Sequence, residues 1–320
     1  MPCSNPRPAL LRTCVFTGES KLWFPKALSF RYSEGYELTG SDFLIPCGQC
    51  LYCRIKQSSD WATRCMHEAS LYDANSFVTL TFDNSSLKKM CPDGGLQKKH
   101  MVDFMKNLRR SDALERERLG LHPRNIRAFY CGEYGGRTNR PHYHALLFNC
   151  DFPDMQLYKK DGSTSYYNSD FLQSVWKHGF AVIGSIEFAS AAYVARYCTK
   201  KVTGKKSLEH YGGRQPEFAQ GSLKPGLGYD WIVKNLYQVY PSDEILITNT
   251  KRVFKVKPPR YYDKVLERLD PSLFELVKEN RRASLDDKEH LTFDECVKAG
   301  KVFKQKMDSL IRNLEVTYDV

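Results

Sequence analysis

The chain has 320 residues, 42% of them hydrophobic and 27% charged, and carries a formal net charge of +11. That length is enough for one large domain or two modest ones with a sizeable core. No run of about 18 apolar residues occurs, which argues against a transmembrane helix and a membrane partner, while the excess of Lys and Arg points to a polyanion, because each phosphate contact releases condensed counterions.

Aromatic residues make up 13%, with 19 Tyr and 18 Phe. Such a chain suits stacking on unpaired bases, although most rings belong in cores. The start, MPCSNPRPALLRTC, lacks the basic-then-apolar order of a secretory signal, so an intracellular location is expected. In a reducing compartment the eleven cysteines read as thiols or metal ligands rather than disulfides.

Residues 1–75 form a cysteine-punctuated segment. Cys47, Cys50 and Cys53 have C-x2-C-x2-C spacing, which lets neighbouring thiolates share one metal. A fourth thiol three residues on would suggest an iron–sulfur site, but that position is Gln57. Structural zinc with a distant fourth ligand is one reading, with Cys3 the first choice and Cys14 or Cys65 as alternatives; reduced buried thiols are the other. The following DWATRCMHEASLYDA has helical spacing, with Trp61, Cys65, Ala69 and Tyr72 on one face.

Residues 76–205 read as an α/β domain. FVTLTF (77–82) is a strand, and Met101, Phe104, Met105 and Leu108 mark one face of a helix over about 97–119. IRAFYCGEY (126–134) and HYHALLF (142–148) are neighbouring strands joined by a turn-rich GGRTNRP hairpin connection. A short helix is expected over 170–177, a strand over 180–188 and a helix over 189–202. The order β-α-β-β-α-β-α predicts an α+β fold, an antiparallel-dominated sheet with flanking helices. Residues 206–320 are more polar: 212–228 reads as a loop-rich stretch, and KPPRYYDKVLERL and the TFDECVKAGKVFKQKMDSLIRNLEV tail as exposed helices.

Alternate side chains of a strand share a face, so His142 and His144 project together while Tyr143 points the other way. Two such imidazoles can share one metal ion. If the strands at 126–133 and 142–148 pair as a hairpin, Glu133 returns beside both histidines. The bland alternative is a histidine pair hydrogen-bonded on a sheet surface.

Tyr193 and Tyr197 lie four apart in the last of these helices, so both hydroxyls reach one side. Arg196 and Lys200 follow each by three residues, and 196–206 holds five basic residues and no acidic one. A nearby cation favours phenolate and steadies a transferring phosphate, which would make each tyrosine a covalent nucleophile. The bland alternative is an amphipathic helix with two aromatic core contacts.

A strand like FVTLTF, then a histidine–hydrophobe–histidine strand, then a tyrosine-bearing helix resembles the HUH endonucleases, which include rolling-circle replication initiators and conjugative relaxases. YVARYCTKK resembles the two-tyrosine initiators of small single-stranded DNA phages (Microviridae), and PCGQCLYCR followed by DWATRC is similar to their gokushovirus branch. The resemblance spans about residues 45–205, and GEYGGRTNRPHYHALLF is its specific block.

The resemblance implies an HUH, RRM-like sheet carrying Mg²⁺ or Mn²⁺ at His142 and His144, with Glu133 as the matching acidic ligand. It implies Tyr193 and Tyr197 as nucleophiles and Lys200 as the lysine one turn after a catalytic tyrosine; Arg196 stands where lysine is usual, keeping the charge but changing the geometry. It further implies nicking of a single-stranded origin in the host bacterial cytoplasm. No phosphate-binding GxxxxGK[ST] loop occurs, so a host helicase, DNA polymerase and single-strand binding protein are the expected partners. Residues 206–320 are expected to contact DNA or host proteins. Rival readings are a relaxase or transposase of the same chemistry, a non-catalytic DNA-binding protein, and a metal-dependent RNA nuclease without a covalent step.

Overall fold

A computed structural model of the protein describes residues 3–18, 20–24, 36–38, 43–136, 138–162, 164–200, 202, 206–248, 253–286 and 292–311. The chain divides into two compact units: one built on the chain up to Lys56 together with residues from Asp286 on, the other Gln57–Leu285.

In the first unit, strand β1 (Arg7–Cys14) pairs antiparallel with β2 (Ser20–Trp23), β3 (Tyr36–Leu38) and β4 (Phe43–Ile45). Helix α1 (Leu51–Ala69) follows, and the boundary between units falls within it. The second unit continues with β5 (Asn75–Phe82), α2 (Asn84–Met90), α3 (Lys98–Arg118), β6 (Arg127–Tyr134) and β7 (Pro141–Phe148). Then come β8 (Gln156–Asp161), β9 (Thr164–Asn168), α4 (Asp170–Val175), β10 (Gly179–Gly184) and α5 (Phe188–Lys200). Helix α6 (Lys206–Tyr211), β11 (Phe218–Gly221), α7 (Tyr229–Val239), β12 (Ile245–Thr248) and β13 (Val253–Val256) lead to α8 (Arg260–Leu269) and α9 (Pro271–Asp286). Helix α10 (Phe293–Ile311) belongs to the first unit.

The second unit is organised on a seven-stranded sheet of order β11-β6-β7-β5-β10-β9-β8, antiparallel at every pairing. This is the α+β architecture expected. One face carries Val78, Leu80, Phe82, Tyr143, Ala145 and Leu147, packed with the predicted stripe Met101, Phe104, Met105 and Leu108 of α3. The opposite face carries Phe77, Phe129, Cys131, Leu146 and Phe148, packed with Ala62 and Cys65 of α1 and with Ala191, Val194 and Ala195 of α5. Both faces of β7 are therefore apolar at its C-terminal end. Burying Leu146 and Phe148 contributes roughly 1.5–3 kcal/mol each. A slip of one residue would turn His142 and His144 to the other side.

A buried ion pair fastens α1 to the sheet: Glu68 Oε1 lies 2.5 Å from Arg127 Nε on β6. Glu68 Oε2 accepts from Gly228 N (2.7 Å), and Arg127 Nη2 donates to Pro225 O (2.8 Å), so both charges have further partners.

Several expectations need correction. The strand expected over 180–188 ends at Gly184, and helix α5 begins at Phe188. Ser190 Oγ accepts from Glu187 N (2.8 Å) and donates to Glu187 O (2.9 Å), bonds that close a helical turn in place of more strand. The stretch 212–228 is loop-rich as expected but also holds β11, which pairs with β6 and buries Phe218 on the α3 face. The C-terminal helices are not merely exposed: α8 buries Tyr262, Val265 and Leu266 in a third cluster with Ile232 and Leu236 of α7. The β8–β9 hairpin, β12, β13 and the N-terminal strands were unanticipated. Among the described residues no helix is long and apolar enough to cross a membrane.

Candidate active site

Strands β6 and β7 pair as the expected hairpin, with Glu133 opposite His142 and Cys131 opposite His144. On its other side β7 pairs with β5, which sets Thr79 opposite His144 and Thr81 opposite His142. Paired residues share a face, so Glu133, His142, His144, Thr79 and Thr81 lie on the side of the sheet that carries α5. Tyr143 lies on the other side, where its hydroxyl is 2.9 Å from His100 Nδ1 and accepts from Gln97 N (3.0 Å).

His144 is buried and held at both ring nitrogens. Its Nε2 lies 2.6 Å from Glu133 Oε1, and its Nδ1 lies 3.0 Å from Thr79 Oγ1. Phe77 stacks against the same ring, with centroids 5.8 Å apart. Thr79 and Phe77 were not singled out from the sequence. The signal was there: alternate residues of FVTLTF must line one face, and the partner strand decides which.

His142 is seated by the hairpin connection. A Cβ on Gly135 would come within 2.8 Å of His142 Cε1, so a glycine lets the backbone pass this close to the ring. Arg140 anchors the return of the hairpin through Asn84 Oδ1 (2.7 Å) and Phe82 O (2.7 Å). Burial, and then the neighbouring His144, lower the pKa of His142, which keeps its imidazole in the neutral form a metal requires. Its Nδ1 is buried without a hydrogen-bond partner.

Helix α5 lies over this row. Its Ala191, Val194 and Ala195 are fully buried, and Ser58 Oγ of α1 donates to Ala192 O (2.9 Å), pinning the helix beside Tyr193. Tyr193 donates its hydroxyl to Glu133 Oε1 (3.2 Å) and sets its ring edge-on to His144, centroids 5.3 Å apart. The structure thus gathers Glu133, His144 and Tyr193 around one carboxylate, with His142 on the same face. The donor atoms of His142, His144 and Glu133 do not all fall within 4.8 Å of one another, since among the described residues only a cysteine group does so. Arg196, Tyr197 and Lys200 continue α5, but their side chains lie outside the described residues.

That cysteine group is Cys3, Cys47, Cys50 and Cys53. Of the three candidates for the fourth thiol, it is Cys3 that joins the cluster. Cys65 sits instead in the core beneath α5, and Cys14 is buried elsewhere. Burial opposes ionisation of Cys50, but hydrogen bonds from Cys53 and Ser4 outweigh it and bring its pKa down to about 6.

The family model described as "Replication-associated protein ORF2/G2P" matches residues 75–202, the span from β5 through α5. The chain is 31% identical over 226 residues to replication-associated protein VP4 of Bdellovibrio phage phiMH2K, covering 69% of this chain and 67% of that protein. It is 30% identical over 243 residues to replication-associated protein ORF2 of Spiroplasma virus 4, covering 74% and 72%. Replication-associated protein ORF4 of Chlamydia phage 1 is 27% identical over 242 residues, covering 74% of this chain and 57% of that protein. The chain belongs to this family of replication-associated proteins of Microviridae phages. No solved structure matches it.

Proposed function

We propose that the protein starts phage DNA replication by nicking a single-stranded origin, holding the 5′ end on a tyrosine and rejoining the strand. The observation that carries this reading is the shared carboxylate: Glu133 Oε1 meets both His144 Nε2 (2.6 Å) and the Tyr193 hydroxyl (3.2 Å), joining the histidine strand to the tyrosine helix.

His142, His144 and Glu133 would hold the divalent ion, Mg²⁺ or Mn²⁺. The donor types suit such an ion, although the side chains would have to draw closer to share it: a half-buried imidazole whose Nδ1 has no partner, a second imidazole oriented by Thr79, and a carboxylate in contact with that second ring. Bound there, such an ion polarises a phosphate oxygen and neutralises charge developing in an in-line displacement.

The residues of the chain do the rest. The Tyr193 oxygen attacks phosphorus and forms a tyrosyl–phosphate ester, while the bond from phosphorus to the 3′ oxygen breaks and leaves a free 3′-OH. The phenol proton has Glu133 Oε1 as its acceptor within hydrogen-bond reach. A host polymerase extends the 3′-OH. Tyr197 then cuts the regenerated origin, and the released 3′-OH attacks the first ester, closing a circle and restoring the phenol. Arg196 and Lys200 supply positive charge on the same helix for the transferring phosphate.

The test is incubation of the purified protein with a labelled origin oligonucleotide and Mn²⁺, followed by SDS electrophoresis. Wild type is expected to carry label covalently. Tyr193→Phe combined with Tyr197→Phe is expected to carry none, and a persisting adduct in that double variant would sink the assignment. Salt-sensitive binding without cleavage would favour the non-catalytic reading.

A further inference from the structure

The cysteine quartet plays no part in this chemistry, and its geometry is specific. Cys3 Sγ lies 3.8 Å from Cys50 Sγ and 3.7 Å from Cys53 Sγ, and all four sulfurs lie within 4.8 Å of one another. Four thiolates on one zinc ion, each about 2.3 Å from the metal in a tetrahedron, stand about 3.8 Å apart. A disulfide would bring two sulfurs to about 2.05 Å and leave the others out. A cluster of several irons would hold its cysteine sulfurs further apart, because the irons and inorganic sulfides stand between them.

The surrounding backbone is arranged for sulfur charge. Gln49 N (3.4 Å) and Cys50 N (3.2 Å) both donate to Cys47 Sγ, and Cys47 N donates to Cys3 Sγ (3.3 Å). Gly48, at φ +73°, makes the left-handed turn that lets this chain segment curl about one sulfur. Cys53 lies in the first turn of α1, where the helix N-terminus favours negative charge.

The residues beside the ligands also form the seat of helix α10. A Cβ on Gly300 would come within 2.5 Å of Ser4 Cα, so α10 passes this close to the residue next to Cys3. The ring of Tyr52, the residue before Cys53, meets Phe303 edge-on with centroids 5.5 Å apart.

We propose that Cys3, Cys47, Cys50 and Cys53 bind one zinc ion in a closed thiolate site, and that this ion holds together the seat on which the C-terminal helix α10 packs. A closed four-ligand site is structural, with no open position for substrate. The proposal is independent of the nicking reading.

The experiment uses the full chain. After dialysis against Mg²⁺, metal analysis is expected to find about one zinc per chain, retained in His142→Ala/His144→Ala and in Cys14→Ser. Replacement by Co²⁺ in the unmutated protein is expected to give the intense thiolate charge-transfer and tetrahedral d–d bands. Cys50→Ser is expected to lose that zinc, and the cobalt spectrum of the unmutated chain is the readout that does not depend on that variant's folding. Stoichiometric iron, or a cobalt spectrum without thiolate bands, would overturn the site. Hydrogen exchange of α10 is expected to rise at least about tenfold on chelation, as local opening becomes easier; unchanged exchange over 293–311 would overturn its link to the ion.

Discussion

At the scale of single residues, the site depends on side chains that no reaction scheme would name. Thr79 fixes the ring of His144 from the side opposite Glu133. Groups that orient a metal-binding histidine typically matter by about 10–100-fold. Thr79→Val keeps the β-branched shape and removes the hydroxyl, so nicking is expected to fall by about tenfold or more while the melting temperature barely moves; an unchanged single-turnover rate would show that Thr79 only packs. His67 gives a second residue-scale expectation. It stacks on Trp231 at 3.4 Å between centroids and meets the Tyr262 hydroxyl at 2.8 Å, and burial lowers its pKa to about 3. The unfolded chain takes up this proton near pH 6.5 and the folded chain only near pH 3. The contribution is therefore complete above about pH 6.5 and is lost as pH falls towards 3, by about 1.4 kcal/mol per pH unit. Urea unfolding at pH 7 and pH 5 is expected to show a smaller loss in His67→Gln than in wild type.

At the scale of elements, strand pairing extends the site beyond the histidines. Glu133 on β6, His142 on β7, Thr81 on β5 and Phe180 on β10 form one transverse row on one face. Phe180 is 68% exposed, although it sits in a sheet whose other large residues are mostly buried. With strands about 4.8 Å apart, its ring stands two strands from His142; under the proposed function, a nucleotide beside the cut phosphate would come within its reach. A base stacked on an aromatic ring is worth about 1–3 kcal/mol. Phe180→Ala is therefore expected to weaken binding of the origin oligonucleotide by about fivefold or more, measured by fluorescence anisotropy with no metal present. Equal affinity would remove Phe180 from the strand's path. Helix α5 shows the same dependence on neighbours: its register over the row is set by Val194 and the alanines buried beneath it and by the Ser58 bond to Ala192.

At the scale of the molecule, the charge of +11 is the property most directly tied to a nucleic-acid partner. Each phosphate neutralised on a single strand contributes a slope of about −0.7 in log affinity against log salt. Three such contacts would cost about tenfold or more between 50 and 200 mM salt. Titration of an oligonucleotide of unrelated sequence should show that dependence, and salt-independent binding would mean that the excess charge serves solubility alone.

What could be read without the structure was whatever depends on near neighbours in the chain. FVTLTF, the Met101–Leu108 stripe and the alternation of His142, Tyr143 and His144 follow from periods of two and of three to four residues, and the structure has them as strand, helix and strand. The hairpin that returns Glu133 opposite His142 follows from a short turn between two such strands. Composition marked 212–228 as loop-rich but did not show the four residues that pair as β11, because an edge strand that short has too few alternations to stand out from a loop. Spacing alone left Cys3, Cys14 and Cys65 open as the fourth thiol, since Cys3 lies 44 positions before Cys47 and the chain between them carries no local signal of where it closes. Tertiary packing decided that choice, the face on which Thr79 meets His144, and the contact of Tyr193 with Glu133. Each joins chain segments far apart in sequence, and only the burial of the surfaces between them fixes their meeting.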